Sequence, residues 1–174
     1  MLFLRINTFG LLTLLVVEHQ CVLEMVMERF ELDVVNASYF KELKFTVRKY
    51  SRTSKRYLNA YAIIVKPLGK NMMVTATFEE YLHNEYKPTF IHLDFKWCDL
   101  LESSYMRLKE RYGIPCPTIP MEYNVPNMTI YTELFPETFP IRQGRIRIRA
   151  YEASPPIAIA SGYLYATFTK KLKH

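Results

Sequence analysis

The sequence predicts an all-β protein, a two-sheet antiparallel β-sandwich or cup of about eight strands with one short helix. From Met25 onward, apolar side chains recur at every second position, which is the period of a half-buried strand. Turn-forming segments interrupt this alternation at hairpin-like spacing. The chain has 174 residues and 49% hydrophobic content, enough for one domain with a hydrophobic core.

The first half of the chain predicts five strands, at about 30–35, 41–50, 57–66, 71–81 and 89–95. Polar residues separate the second strand from the third, and Pro67-Leu-Gly69 ends the third strand. The segment Leu82-His-Asn-Glu-Tyr-Lys-Pro88 is interpreted as a turn. These strands follow one another closely enough to form antiparallel neighbours.

The segment 99–112 predicts the helix, because Leu101, Tyr105, Leu108 and Tyr112 recur at helical spacing and a glycine follows. The three prolines of the segment 114–120 exclude a helix there and favour an extended chain.

Three further strands are predicted in the last third of the chain. They lie at about 127–134, from about 145 to 151, and at about 157–169. A proline-rich bend over 135–144 separates the first from the second, and Ser154-Pro-Pro156 makes the last turn.

Residues 1–21 are interpreted as a secretory signal peptide, and residues 22–174 as the single β-sandwich domain. A basic residue near the start precedes an apolar run of about nine residues, too short to cross a bilayer as a helix. The alternative is an apolar N-terminal strand of the fold. Two glycosylation motifs, at Asn36 and Asn127, favour a secreted, extracellular glycoprotein.

The cysteines support the same compartment. Cleavage near Cys21 leaves Cys98 and Cys116 as an even pair, which predicts a disulfide bond. Closing that loop stabilises the fold by about 3 kcal/mol in the chain-entropy treatment. The alternative is two reduced, buried thiols.

The sequence predicts no enzyme, no cofactor and no metal site. It contains neither a nucleophile-elbow motif, nor a phosphate-binding glycine loop, nor a zinc-binding cysteine or histidine motif. His92 and Asp94 share one strand face and could act as a base and its orienting group, or as part of a metal site. The alternative is a solvated polar face.

A row of arginines is the strongest electrostatic feature of the sequence. Arg145, Arg147 and Arg149 alternate with apolar residues, so they form a basic face able to bind phosphate or sulfate. The alternative is a solvated face with acidic partners on a neighbouring strand. Because exposed charges contribute little to stability, we expect the row to be dispensable for folding.

The formal net charge of +6 points to the class of partner. It is compatible with sulfated glycans, anionic lipid headgroups or an acidic receptor patch outside the cell. Nucleic acid does not fit an exported chain.

Small residues at inward positions predict a cavity. All of these point between the sheets if the alternation is correct: Ala60, Ala62, Ala76, Ala150, Ala158, Ala160, Gly162 and Ala166. The alternative is a filled core of alternating small and large residues. The predicted ligand-binding residues are Ala60, Ala62, Ile64, Val74, Ala76, Phe78, Ile91, Leu93, Ile148, Ala160, Gly162, Leu164 and Phe168.

The chain also resembles a large insect family of small secreted proteins that includes the CheA/CheB-type chemosensory proteins. The similarity rests on Lys49-Tyr-Ser-Arg52, Arg56-Tyr-Leu-Asn59, Glu85-Tyr-Lys-Pro88, Phe95-Lys-Trp-Cys98-Asp99 and Cys116-Pro117. That family is distantly similar to the lipid-recognition superfamily of the ganglioside activator protein, whose cup-shaped β-sandwich holds lipid. Relatives commonly carry additional cysteines, whereas this chain has only Cys98 and Cys116 at the motif positions.

The resemblance implies a binding protein that holds an apolar small molecule or lipid and acts in pheromone perception near a membrane receptor or membrane surface. The alternative function is an extracellular protein-interaction module that docks a receptor or an anionic glycan through its basic face.

Overall fold

The computed structural model describes residues 21–132, 135–136 and 139–172. Most of the predicted signal peptide therefore lies outside the described residues. In chain order the elements are β1 (Cys21–Val35), β2 (Phe40–Lys49), β3 (Arg56–Ile64), β4 (Met72–Leu82), β5 (Glu85–Lys96), α1 (Trp97–Glu102), α2 (Leu108–Tyr112), β6 (Glu122–Met128), β7 (Gln143–Ala153) and β8 (Pro156–Leu172). The all-β prediction is confirmed.

The strands form two antiparallel sheets, as predicted. One sheet has five strands in the order β1-β8-β7-β4-β5, and the other has three in the order β2-β3-β6. On β2 the alternation of the sequence is reproduced, because Leu43, Phe45 and Val47 are half-buried while Lys44 and Thr46 are exposed. The apolar faces of the two sheets therefore enclose the interior.

The β4-β5 hairpin is tighter than predicted. His83 and Asn84, with φ of 53° and 66°, form a two-residue turn between the paired residues Leu82 and Glu85. The predicted turn over 82–88 is wrong at its end, since Pro88 lies within β5. A proline is tolerated there because β5 is an edge strand and needs no hydrogen bond on its outer side.

The single helix predicted over 99–112 is two short helices. Ser103 ends α1, because both its backbone N–H and its hydroxyl donate to the carbonyl of Leu100, over 3.2 and 2.8 Å. Serine side chains compete with helical backbone bonds in this way. Arg107 then adopts a left-handed conformation before α2, and Gly113 ends α2 as predicted. Leu101 and Leu108 are buried nevertheless.

The strand predicted over 127–134 lies earlier, at Glu122–Met128. β6 pairs with β3 through Tyr123 opposite Ala62 and Val125 opposite Ala60. Pro126 is compatible with this position because β6 is an edge strand. Beyond Met128 the chain leaves the sheet, and the backbone N–H of Tyr131 donates to the backbone carbonyl of Tyr105.

The predicted disulfide is confirmed. Cys98, in α1, is bonded to Cys116, with 5.5 Å between their Cα atoms. The segment 114–120 contains no helix, as expected, but it is not extended throughout, since the chain bends at 116–117 and at 120. Within it, Thr118 forms an isolated bridge with Leu68. The indole of Trp97 donates to the hydroxyl of Thr118 over 2.8 Å. These contacts fix the cysteine loop to the end of the sandwich where β3 ends and β4 begins.

Packed phenylalanines close the opposite part of the interior. The ring centroid of Phe139 lies 4.8 Å from the ring centroid of Phe168 and 5.6 Å from that of Phe78. Phe135 joins them, 5.3 Å from Phe139. This cluster is solid, so any cavity has to lie beside it.

Candidate functional site: a cavity between the two sheets

A cavity of about 270 Å³ lies between the sheets. Every strand and both helices contribute residues to its wall, so it occupies the centre of the sandwich. Its volume exceeds the roughly 150 Å³ of an apolar cavity that binds benzene. The space between the sheets is therefore large enough for a ligand, whereas the sequence left a cavity and a filled core as equal alternatives.

Five alanines on four strands create much of this space. They are Ala60 and Ala62 on β3, Ala76 on β4, Ala150 on β7 and Ala160 on β8. Each keeps part of its surface accessible although it points between the sheets. Larger side chains at these positions would fill the cavity.

All but two of the predicted ligand-binding residues line the cavity. Those that do are Ala60, Ala62, Ile64, Val74, Ala76, Phe78, Leu93, Ile148, Ala160, Gly162 and Leu164. The exceptions are Ile91 and Phe168. Phe168 is enclosed by the phenylalanine cluster, and Ile91 packs against the same hydrophobic core. Both have the predicted inward orientation but lie where the interior is filled.

Small residues at even positions of β8 do not all create space. Ala158 is exposed, and Ala166 is completely buried in the packed core. Gly162 lines the cavity, but a Cβ there would lie 2.6 Å from the carbonyl oxygen of Glu31 and 2.8 Å from the ring of Phe30. The ring of Phe30 crosses over this glycine and takes the place of a side chain.

The wall offers few hydrogen-bonding groups, because most of its hydroxyls are already bonded within the protein. Thr118 donates to the carbonyl of Pro115 over 2.9 Å and accepts from Trp97. Tyr123 donates to the carbonyl of Ile119, and burial raises the pKa of its hydroxyl. Ser161 donates to Asp33.

Tyr105 is the exception among the hydroxyl residues of the wall. Its ring packs against Phe95, with 5.9 Å between centroids, and its hydroxyl has no hydrogen-bond partner within the described chain. The surface that the wall presents to the cavity is almost entirely apolar, so Tyr105 contributes its ring and not its hydroxyl.

Several cavity residues were not anticipated from the sequence. Phe30 and Leu32 lie within the strand predicted over 30–35, which forms the end of β1, but they were not among the predicted ligand-binding residues. Others come from the helices and from irregular segments whose alternation carries no signal. These are Leu100, Met106, Leu108, Ile114, Ile130 and Phe135.

The arginine row does not form one exposed basic face. The guanidinium Nε of Arg145 lies 2.5 Å from a carboxylate oxygen of Glu79, whose side chain is only 8% exposed. The same guanidinium lies 4.1 Å from the ring centroid of Tyr163 and 4.3 Å from that of Tyr86. Arg145 is therefore held by a buried ion pair and two aromatic rings on the outer face of the five-stranded sheet, so we no longer expect the whole row to be dispensable for folding.

Arg147 and Arg149 differ from Arg145. Arg147 lies 5.9 Å from the ring of Tyr163, and Arg149 is exposed. Neither forms an ion pair or a hydrogen bond with the described residues. The acidic partners expected under the alternative interpretation are thus present for Arg145 alone.

His92 and Asp94 are both exposed on β5. A ring nitrogen of His92 lies 3.3 Å from the backbone carbonyl oxygen of Phe90. Across the described part of the chain, no group of three or more histidine, cysteine, aspartate or glutamate side chains is arranged to hold a metal ion.

The two glycosylation motifs differ in accessibility. The Asn36 side chain donates to the carbonyl of Ala158 and accepts from the backbone N–H of Ser38, both over 2.9 Å. Asn127 is exposed, and its side-chain amide has no partner among the described residues. Only Asn127 presents a free amide nitrogen for modification.

Comparison with protein-family models gives no match for this chain, and comparison with curated proteins gives none either. The resemblance to the insect chemosensory family therefore stays a prediction. Among the described residues, no helix has the length and apolar character needed to cross a membrane.

Proposed function

We propose that the protein is a carrier or presenter of an apolar ligand, which it holds between its two sheets. The observation that supports this is the apolar cavity of about 270 Å³ at the centre of the sandwich. Protein interiors are normally packed as densely as organic crystals, so an unfilled space of this size between the sheets forgoes packing contacts. A ligand restores the lost contacts.

The wall determines the chemical class of the ligand. Burying a polar group without a hydrogen bond costs roughly 2–7 kcal/mol, whereas each buried methylene contributes about 0.8 kcal/mol. The surface that the wall presents to the cavity is almost entirely apolar, and the hydroxyls of Thr118, Tyr123 and Ser161 are bonded within the protein. The ligand is accordingly a hydrocarbon or a predominantly hydrocarbon molecule, in preference to a sugar, nucleotide or amino acid.

Filling the cavity tests this proposal. Ala76 lies on a central strand of the five-stranded sheet, opposite Ile148 in the register and in the cavity wall. Ala76→Phe should abolish uptake of an apolar fluorescent probe and remove co-purified lipid from native mass spectra. Its melting temperature should change little, because the new ring enters existing space.

Two matched variants control for the added ring. Ala166→Phe adds it to the packed core, where overpacking typically costs about 1–3 kcal/mol. Ala153→Phe adds it at an exposed position and should leave both stability and uptake unchanged. Strong destabilisation by Ala76→Phe, with no probe uptake by the unaltered protein, would mean a filled core and would overturn the carrier function.

Export and a chemosensory role belong to the same proposal. They are supported by the apolar leader, the confirmed disulfide and the resemblance to secreted insect proteins. Expression of the full chain in insect cells, with N-terminal sequencing of the protein in the medium, tests export. Retention inside the cells with an intact leader would contradict it.

A further inference from the structure

The outer face of the five-stranded sheet carries a second feature that the cavity does not use. Thr75 and Thr77 on β4 lie directly opposite Arg149 and Arg147 on β7. Alternate residues of one strand are about 7 Å apart, so the two arginines and two threonines occupy the corners of one small patch. We call these four residues the Arg-Thr patch.

The polar atoms of this patch lack partners. The Nε atom of Arg147 and the hydroxyl of Thr75 are inaccessible to solvent and form no hydrogen bond within the described chain. The described residues contain just one other such side-chain atom, on Asn59. Most buried polar groups are bonded in folded proteins, so two orphaned groups at diagonal corners of one patch need an explanation.

The neighbouring charges favour an anion at this position. Arg145, one pair further along β7, is neutralised by Glu79, and Arg29 on β1 is paired with Glu31 over 2.8 Å. No such pair neutralises Arg147 or Arg149 within the described residues.

Two acidic groups lie near the patch without pairing with it. Asp94, beside His92 on β5, is opposite Thr75 in the register, which places it across β4 from Arg149. Asp33 accepts a hydrogen bond from Ser161 on the other side. Neither carboxylate forms an ion pair with the two arginines.

We propose that the Arg-Thr patch binds a phosphate monoester group. Two guanidinium groups match the paired oxygens and the charge of phosphate, and threonine hydroxyls supply further donors. Arg149 is exposed and makes no contact that fixes it, so its side chain can move aside to admit an oxyanion to the Thr75 hydroxyl.

This site is independent of the proposed carrier function. Val74 and Ala76 line the cavity on the inner face of β4, and Thr75 lies on the opposite face between them. A lipid in the cavity therefore cannot place its own headgroup in the patch. The phosphate comes either from a soluble monoester or from a lipid in a membrane surface.

Titration of the full chain with inorganic phosphate at low, fixed ionic strength tests the site. We expect saturable binding that falls at least tenfold in Arg147→Gln/Arg149→Gln. The matched control is Arg48→Gln/Arg52→Gln, which removes the same charge from exposed positions elsewhere and should change affinity less than twofold. Equal losses in both variants, or no saturable binding by the unaltered protein, would refute the proposal.

Thr75→Val separates binding from folding. Because this hydroxyl has no partner in the protein, its removal should leave the melting temperature unchanged or raised while phosphate affinity falls about threefold or more. A lowered melting temperature with unaltered phosphate binding would assign Thr75 a structural role and count against the site.

Vesicles distinguish the two sources of phosphate. Phosphatidylcholine vesicles containing phosphatidate present the monoester on a membrane, and phosphatidylglycerol vesicles of equal charge present a diester. Binding to phosphatidate vesicles that inorganic phosphate competes away supports a lipid source, and phosphate binding without vesicle binding supports a soluble one. Equal binding to both vesicles that survives Arg147→Gln/Arg149→Gln would overturn the assignment to this patch.

Discussion

Arg145 should be far more important for stability than its neighbours in the arginine row. Arg145→Ala leaves the carboxylate of Glu79, 8% exposed, without its partner. Breaking a buried pair in this way costs about 3–5 kcal/mol. Contacts with the rings of Tyr86 and Tyr163 add about 0.5–1 kcal/mol each at sites that are partly exposed. The Arg145 side chain keeps 22% of its surface accessible, so we expect a total near the lower end of the combined range, about 4 kcal/mol.

Urea unfolding followed by circular dichroism measures this effect. Arg149→Ala is the matched control, because it removes the same side chain from the same strand face where nothing pairs with it, and it should stay within about 0.5 kcal/mol. A loss below about 1 kcal/mol for Arg145→Ala, equal to that of the control, would show that the pair is solvated and that the reasoning from burial is wrong.

Three further predictions concern backbone approach, glycosylation and ligand length. A Cβ at Gly144 would lie 2.2 Å from the carbonyl oxygen of Glu79, so Gly144→Ala should lower the midpoint of urea unfolding strongly. A Cβ at Gly69 would meet no neighbouring atom within 4 Å, so Gly69→Ala should leave that midpoint unchanged. Peptide mapping of protein secreted from an animal host should find glycan on Asn127 and little on Asn36, whose amide is hydrogen-bonded; the reverse would contradict this. In a series of alkyl ligands, affinity measured by probe displacement should rise about fourfold per methylene and then level off as the cavity fills; no dependence on length would argue against burial.

The two-residue period of apolar side chains was sufficient to predict most of the strands. It succeeded where one face is buried and the other is polar, as in β2 and β7. It failed where a proline lies in a strand, because Pro88 and Pro126 are acceptable only on edge strands, and edge position depends on the tertiary arrangement. The prediction of one continuous helix failed because the spacing of apolar residues carries no information about the hydrogen bond from Ser103 to the carbonyl of Leu100.

The arginine row shows a related limit. Alternation placed Arg145, Arg147 and Arg149 on one face correctly, but it gave no information about which residues lie opposite. Glu79 faces Arg145, whereas threonines face the other two. Pairing between strands distant in sequence decides which charge is neutralised, and a single sequence does not reveal that register.

Irregular pairing also hid part of the cavity wall. β1 contains two register shifts against β8, between Met27 and Arg29 and between Leu32 and Val34. Each shift changes which residues of β1 face inward, so Phe30 and Leu32 line the cavity although Met27 is also buried. Strict alternation along β1 cannot place all three on the same side.

Small inward residues predict a cavity only when no large side chain crosses over them. The ring of Phe30 covers Gly162 and lies 4.4 Å from the ring of Phe45 on the facing sheet, so the space at this glycine is filled. Ala166 lies in the packed core. Ala60 and Ala76, on the two facing sheets, have no such cover and keep accessible surface. The alanines, more than the glycine, therefore determine the cavity, and cavity-filling variants should be made at the alanines.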